Sequence, residues 1–258
     1  MGDPATVRVA WYSQGMGDVP SDDGWLSPLE ASWIGRMRFE KRSSEFRMGR
    51  WTAKNAVSLF LGRPCTHQAL HAVEINRAPG GAPVPLVEGQ PAPVSISMTD
   101  RADQAVCVVS PRGVGLGVDL ELVEPRTDAF VADFLTPSEQ RLVGEVADRE
   151  EHGLRANLIW CGKESALKVL RTGLRRDTRS VEVSFPDAPP SVDGWAAILV
   201  RASEGTEFPG WWKRFGAFVL TVAASGPIDP PRTLVEPPGL ESAAPSHQWL
   251  KRPSPGIR

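Results

Sequence analysis

Cysteine is scarce in this sequence, with three residues, Cys65, Cys107 and Cys161, in a chain of 258. An odd number of widely spaced cysteines provides neither a disulfide framework nor the paired ligands of a structural zinc site. We therefore expect three reduced, buried thiols. A chain of this length can bury a hydrophobic core without such cross-links.

Long hydrophobic runs are also absent, since no apolar stretch approaches the roughly 20 residues of a membrane-spanning helix. The amino terminus lacks the basic flank and apolar segment of a secretory signal, so a cytoplasmic location is expected. Neither sign of charge dominates, because 29 Lys and Arg residues stand against 31 Asp and Glu residues. Nucleic-acid-binding domains usually carry a strong positive excess, so this function is not expected.

Positive charge is nevertheless concentrated in one segment, from Arg36 to Lys54. This segment holds seven basic residues and only two acidic ones, Glu40 and Glu45. Such a local surface suits a polyanionic small molecule or an acidic partner protein. Apolar residues at helical spacing predict that residues 44–61 of the same region form a helix.

The remaining patterns predict a chain that mixes strands and helices. A helix is predicted to begin with the capping motif at Thr136, and another to span about residues 156–171. The Gly- and Pro-rich residues 77–94 are predicted to be a loop. Eight prolines in residues 226–258 predict a largely disordered tail. Strands are predicted at residues 7–11, 94–98, 105–110, 114–121, 181–185, 195–200 and 217–223.

Three carboxylates are the candidate carriers of chemistry. Asp119 and Glu121 lie two residues apart on a predicted strand, so both side chains point to one face. Two neighbouring carboxylates repel each other unless a cation lies between them. Glu164 adds a third acid on a predicted helix, between Lys163 and Lys168, and Mg²⁺ prefers such oxygen ligands. Each motif taken singly is more typical of an ordinary solvated surface.

The motifs taken together resemble the signature of one enzyme family. GVDLE at 117–121 and WCGKESALK at 160–168 are similar to the paired motifs of surfactin-type 4'-phosphopantetheinyl transferases. Three further segments resemble that family's basic entry segment, its central strand pair and its closing strand, namely KRSSEFRMGRWTAK at 41–54, VSISMTDRADQAVCVV at 94–109 and GWWKRFGAFVLTVAA at 210–224. The resemblance extends over roughly residues 5 to 225.

The resemblance implies an α+β protein of two similar halves related by a pseudo-twofold axis. Residues 1–112 would form the half that binds the nucleotide of coenzyme A, and residues 113–225 the half with the metal-binding acids, followed by the tail. It implies an enzyme that transfers 4'-phosphopantetheine from coenzyme A to a serine of an apo acyl or peptidyl carrier protein and releases 3',5'-ADP. It also implies magnesium dependence, a monomer, and a place in pathways such as polyketide or nonribosomal peptide biosynthesis.

The resemblance also implies roles for individual residues. Asp119, Glu121 and Glu164 match the metal-binding acids, and Glu164 and Lys168 match the catalytic pair, with Glu164 as the base for the serine. The contacts implied for coenzyme A are Arg42, Arg50, Arg77, Lys163 and Lys168. The basic residues from Arg171 to Arg179 are candidates for docking the acidic carrier protein.

Two alternative functions remain open from the residues alone. A metal-dependent hydrolase of a phosphoanhydride would use the same acids and lysines, with water as the nucleophile. A coenzyme A-binding protein without activity is the non-enzymatic alternative. Met98 favours this alternative. Many 4'-phosphopantetheinyl transferases carry a histidine at the matching position that contacts the 3'-phosphate of coenzyme A, and methionine cannot donate that hydrogen bond.

Overall fold

The computed structural model describes residues 6–245, which form a mixed α+β fold. No helix in this part of the chain is both long and apolar enough to cross a membrane. The helices are α1 (Pro28–Ile34), α2 (Glu40–Phe60), α3 (His67–His71), α4 (Asp128–Phe134), α5 (Pro137–Gly144) and α6 (Arg149–Val169). The strands are β1 (Ala10–Gly15), β2 (Val73–Arg77), β3 (Pro83–Val87), β4 (Gln90–Pro91), β5 (Val94–Arg101), β6 (Gln104–Pro111), β7 (Leu116–Leu122), β8 (Val181–Ser184), β9 (Ala196–Ala202), β10 (Glu207–Phe215), β11 (Phe218–Ala224) and β12 (Arg232–Thr233).

The two halves of the chain repeat one arrangement of strands. The second half forms a sheet with the order β7-β11-β10-β9-β8. In the first half, β1 pairs with β6 and β6 pairs with β5, which matches the order β7-β11-β10. The strands that correspond to β9 and β8 are β3 and β2, which belong to a separate small sheet, and β3 packs against β5. The predicted α+β class is therefore confirmed, while the symmetry axis remains a prediction.

The helices repeat as well, and at a constant separation. Each half has one 21-residue helix, and these helices begin at Glu40 and Arg149, 109 positions apart. The short helices before them begin at Pro28 and Pro137, which have the same separation. Each short helix starts with a capping box, in which the cap side chain and a glutamate three residues later bond to each other's backbone. The cap predicted at Thr136 is thereby confirmed.

Helix α2 is buried more deeply than its polar sequence suggests. It extends four residues further toward the amino terminus than predicted, and it packs against β1, β5 and β6. Ala53, Ala56 and Val57 join the core of the first half. Because the helix lies between the sheet and other segments, the charged side chains of Arg50 and Lys54 are also buried.

The Gly- and Pro-rich segment was predicted as a loop, and this prediction is wrong for part of it. Residues 83–87 form β3, which pairs antiparallel with β2, and Gln90 and Pro91 form β4. Strand β4 pairs only with Leu86 and Val87 of β3, so Pro83 and Pro85 lie where β3 is an edge strand. An edge position tolerates proline because no ladder hydrogen bond is required there.

The prediction of a disordered tail is wrong for residues 226–245. Strand β12 pairs in parallel with β1, and Ile228 and Leu240 are buried in the core beside it. The indole of Trp211 donates a hydrogen bond to the backbone oxygen of Ile228 at 2.9 Å. A few well-placed apolar side chains therefore suffice to attach a Pro-rich segment. Residues 246–258, to which the prediction also applied, lie outside the described residues.

The three cysteines are free, as the sequence predicted. Cys107 and Cys161 are fully buried, whereas Cys65 is only partly buried. Burial raises the pKa of all three thiols, which keeps them protonated at neutral pH.

Candidate active site

The candidate site lies where β7 crosses α6. Lys168 donates hydrogen bonds to the Asp119 carboxylate at 2.8 Å and to the backbone oxygen of Val118 at 2.7 Å. The indole of Trp160 donates to Glu121 at 3.2 Å. The alternation of β7 and the four-residue spacing of α6 thus turn both predicted faces toward each other.

The close approach of these two elements depends on Gly117. A Cβ atom at this position would lie 1.8 Å from the backbone oxygen of Ser165. A backbone atom cannot move aside as a flexible side chain can, so only glycine fits. The sequence motif GVDLE includes this glycine, but its packing role depends on a contact with α6 that the motif does not reveal.

We expect Gly117→Ala to lower the free energy of unfolding by about 3 kcal/mol or more, because the added methyl group forces β7 away from α6. Urea unfolding followed by circular dichroism measures this change. Gly144→Ala is the matched control, since its Cβ would meet nothing within 4 Å. We expect the control to differ from the parent by about 1 kcal/mol or less. Equal stability of both variants would contradict the packing role.

Glu164 is the acid of the site with the fewest partners. Among residues 6–245 its carboxylate makes no hydrogen bond and no ion pair, and it is partly exposed. Burial, then the negative charges of Asp119 and Glu121, raise the pKa of Glu164 to about 7, although Lys168 opposes them. A carboxyl group with this pKa can accept a proton at neutral pH.

Asp119 and Lys168 form the ion pair at the centre of the site. Asp119 is 6% exposed and also accepts a hydrogen bond from the hydroxyl of Thr99 at 3.1 Å. Burial lowers the pKa of Lys168, but the charge and hydrogen bond of Asp119, aided by Glu164, outweigh it and raise the pKa above its ordinary value. Lys168 is therefore a permanent cation at neutral pH.

Glu121 is held by two arginines. Its Oε2 atom accepts a hydrogen bond from Arg126 at 3.1 Å and lies 3.2 Å from Nε of Arg101. Burial and then Asp119 raise the pKa of Glu121, and the two guanidinium groups oppose this rise. Arg126 also donates to Asn157 at 2.6 Å. The sequence motifs did not reveal Arg126, because it lies outside the GVDLE motif. It reaches Glu121 because the chain turns after β7.

The three acids fit a hard divalent cation in charge and in ligand type. Burial and then the charge of Asp119 raise the pKa of Glu164 and Glu121, and a cation would relieve this repulsion. Within residues 6–245, however, no three acidic, histidine or cysteine side chains already converge as a ligand set. Asp119 and Glu121 instead direct oxygens at Lys168 and the two arginines. A three-acid metal site therefore remains a prediction.

A cavity of about 1140 Å³ adjoins this site. Its walls come from α2, the segment from β2 to β3, strand β5, and the ends of α6 and β7. Of the residues that the structure describes, only two with acidic side chains, Glu45 and Asp100, line it. Seven basic side chains do so, namely Arg36, Arg42, Arg50, Arg77, Arg112, Lys168 and Arg171. We call this cavity the basic pocket, and its charge suits a ligand with several anionic groups.

Arg50 is the best-defined candidate for an anion contact in the basic pocket. It is 5% exposed, its guanidinium lies 4.4 Å from the ring centre of Phe46, and its Nε atom has no hydrogen-bond acceptor. The nearest carboxylate oxygen, on Glu30, is 3.7 Å from Nε. Burial lowers the pKa of Arg50 to about 10, which still leaves it charged at pH 7. A buried, incompletely bonded guanidinium is well suited to a phosphate oxygen.

The structure brings Arg42, Arg50, Arg77 and Lys168 to the basic pocket, but not Lys163. Lys163 is fully buried, 2.7 Å from Glu139, and it donates to the backbone oxygen of Thr178 at 3.0 Å. Its predicted contact with a coenzyme phosphate is therefore corrected to an internal ion pair. The sequence places Lys163 beside Glu164, but adjacent residues of a helix point about 100° apart.

Two further predicted features are found at the pocket or near it. Met98 lines the pocket beside Gly49 of α2, where an added Cβ would lie 3.2 Å from its terminal methyl group. Arg171 also lines the pocket, whereas Arg176 pairs with Glu204 outside it. Arg179 pairs with Asp177, so the candidate docking surface from Arg171 to Arg179 is partly neutralised.

Comparison with known families singles out the half of the chain that contains the acids. Residues 115–222 match the family model of the 4'-phosphopantetheinyl transferase superfamily. The match includes Asp119, Glu121, Glu164 and Lys168, and it supports assignment to this superfamily. It covers somewhat less than half of the chain and leaves out most of the basic pocket. A comparison with curated proteins finds no match.

Proposed function

We propose that this chain is a surfactin-type, magnesium-dependent 4'-phosphopantetheinyl transferase. It would move the 4'-phosphopantetheine group of coenzyme A to a serine of an apo acyl or peptidyl carrier protein. The observation that carries this proposal is the position of Lys168, which binds Asp119 and also lines the basic pocket. This lysine links the acids within the family match to a cavity able to hold coenzyme A.

The charge of the basic pocket supports coenzyme A as the substrate. Coenzyme A carries a pyrophosphate and a 3'-phosphate, and each needs cationic neighbours when it leaves water. Arg42 and Arg50 on α2 and Arg77 at the end of β2 would bind these groups, and Lys168 would do so near the acids. The volume of about 1140 Å³ is at the upper end of ordinary ligand sites, as a molecule of this size requires.

The reaction would use Glu164 as the general base. Glu164 would take the proton of the carrier serine while the serine oxygen forms a bond to the phosphorus that carries pantetheine. The bond from that phosphorus to the bridging oxygen would break, and 3',5'-ADP would leave with the electron pair. Lys168 would neutralise the negative charge that develops on the phosphate oxygens.

Magnesium would be held by Asp119, Glu121 and Glu164. When bound, the ion would supply positive charge for the pyrophosphate. If Glu121 turned toward the ion, Arg101 would keep Glu124 at 2.8 Å and Arg126 would keep Asn157 at 2.6 Å.

The decisive experiment is incubation of the protein with coenzyme A, Mg²⁺ and an apo carrier protein. Intact mass measurement should show the carrier increased by one phosphopantetheine group, and 3',5'-ADP should appear in equal amount. A carrier variant without the acceptor serine is the control. Release of 3',5'-ADP without any carrier would favour the hydrolase alternative, and binding of coenzyme A without turnover would favour an inactive binding protein.

Magnesium binding should weaken as the pH falls below 7. A proton on Glu164 competes with the metal, and the pKa of this carboxyl is about 7. Calorimetry should therefore give an affinity about tenfold lower at pH 6 than at pH 8. Glu164→Gln should bind more weakly and lose most of this pH dependence. An affinity independent of pH in the parent would argue against Glu164 as a ligand.

A further inference from the structure

Each half of the protein contains one fully buried Lys–Glu pair. On α6, Nζ of Lys163 lies 2.7 Å from Glu139, and on α2, Nζ of Lys54 lies 2.5 Å from Glu30. All four side chains are 0% exposed. In both pairs the lysine follows the glutamate by 24 positions, so the pair belongs to the repeat of the two halves.

Each glutamate also fixes the backbone of two other elements. Glu30 accepts hydrogen bonds from the backbone N–H of Ser27, at the cap of α1, and of Ile75, on β2, both at 3.0 Å. One carboxylate thereby joins a helix start, a strand and a long helix. We call Lys54 and Glu30, with these contacts, the α2 clasp.

The second half repeats these contacts. Glu139 accepts from the N–H of Thr136, at the cap of α5, at 2.7 Å, and from that of Val183, on β8, at 2.8 Å. We call Lys163 and Glu139, with these contacts, the α6 clasp. Even the outer layer recurs, because Ser27 donates to Glu74 and Thr136 donates to Glu182.

A buried ion pair is weak evidence for a stabilising role, since desolvation offsets much of its attraction. Apolar side chains of similar volume would fill the same space. What the clasp adds is direction, because hydrogen bonds of defined geometry fix the rotation and axial position of the helix. That position matters on these two helices, which carry the candidate functional groups.

The two clasps lie next to different candidate functional residues. Lys163 directly precedes Glu164, so a rotation of α6 moves the candidate base. Glu30 of the α2 clasp lies 3.7 Å from Nε of Arg50, which lines the basic pocket. One clasp therefore adjoins the group that would accept the proton, and the other adjoins a group that would bind the coenzyme.

We propose that the two clasps are positioning devices with separate roles, in which the α6 clasp orients Glu164 for catalysis and the α2 clasp orients Arg50 for coenzyme binding. This inference rests on the proposed transferase function. Lys163, Glu139, Lys54 and Glu30 are positioning residues, and none of them touches the substrate.

Matched double variants test this division. Lys163→Met with Glu139→Gln removes both charges of the α6 clasp, and Lys54→Met with Glu30→Gln does the same in the α2 clasp. The first should lower kcat by about tenfold or more and change KM for coenzyme A by less than about twofold. The second should raise KM by about fivefold or more and change kcat by less than about threefold.

Calorimetric titration with coenzyme A separates positioning from loss of folded protein. The α6 variant should bind one coenzyme per chain with the parent affinity, although it turns over slowly. The inference is overturned if its binding stoichiometry falls in parallel with its rate, or if both variants change kcat and KM alike. Should a double variant fail to fold, Glu182→Gln and Glu74→Gln weaken the same clasps from their outer ends, and a smaller split in the same directions is expected.

The two levels of the proposal fail differently. A parent protein that binds coenzyme A but transfers nothing would contradict the transferase function. The titrations would then still test the α2 clasp, because its variant alone should lose affinity. Equal affinities in both variants would overturn the inference without any reference to activity.

Discussion

Glu164→Gln is expected to lower kcat for transfer by about a thousandfold, the range typical of a lost general base. The amide has nearly the same shape as the carboxyl group but cannot accept the serine proton. Because Glu164 makes no hydrogen bond or ion pair within residues 6–245, its replacement removes no structural contact there. The rate is measured from the mass shift of the carrier at saturating coenzyme A and Mg²⁺.

The control for this variant is Glu150→Gln on the same helix. The Glu150 side chain is 67% exposed and, among residues 6–245, forms an ion pair only with Arg214. The rate of transfer by Glu150→Gln should therefore stay within about twofold of the parent. Thermal unfolding should be similar for both variants. Parent-like turnover in Glu164→Gln would remove Glu164 from the reaction and require another base.

Lys168→Ala should be the second most damaging substitution, with a fall in kcat/KM of about a hundredfold or more. The change removes the cation that would face the phosphates. Among residues 6–245 it leaves the Asp119 carboxylate with only the hydroxyl of Thr99 as a hydrogen-bond donor. Both effects oppose binding and neutralisation of the leaving group. Steady-state rates over a range of coenzyme A concentrations measure the loss.

Two further variants sharpen this experiment. Lys168→Arg keeps the charge but alters its geometry, so it should recover part of the activity. Lys213→Ala removes a lysine outside the pocket, which lies 3.7 Å from Glu241, and it should leave the rates within about twofold of the parent. A full loss in Lys168→Arg together with normal coenzyme affinity in Lys168→Ala would exclude the proposed role.

The local geometry of the acids was predictable because it follows from chain periodicity. Alternation along β7 places Asp119 and Glu121 on one face, and four-residue spacing along α6 places Glu164 and Lys168 on one stripe. The capping motif at Thr136 was predictable for the same reason, since cap and glutamate interact within one helical turn. These features depend on neighbours within a few residues.

The failures of prediction concern contacts between distant segments. Lys163 has the same local pattern as a surface lysine, and only the packing of α5 and β8 around α6 shows that it pairs with Glu139. The composition of residues 226–245 predicts disorder, but β12 in this segment pairs with β1 on the side opposite β6. The prolines of residues 83–87 predict a loop, but pairing with β2 makes this segment strand β3.

The sequence by itself determined which side chains could carry the proposed chemistry, because the spacing of three acids and two lysines places them on particular faces of a strand and a helix. Only the tertiary structure decided which of them act together. Lys168 contacts Asp119 and lines the basic pocket, whereas Lys163 is buried in the α6 clasp. The physical reason is that burial and pairing depend on contacts between separate elements, which no local pattern records. Lys168 is 49 residues from Asp119 in the sequence, and Lys163 is 24 residues from Glu139.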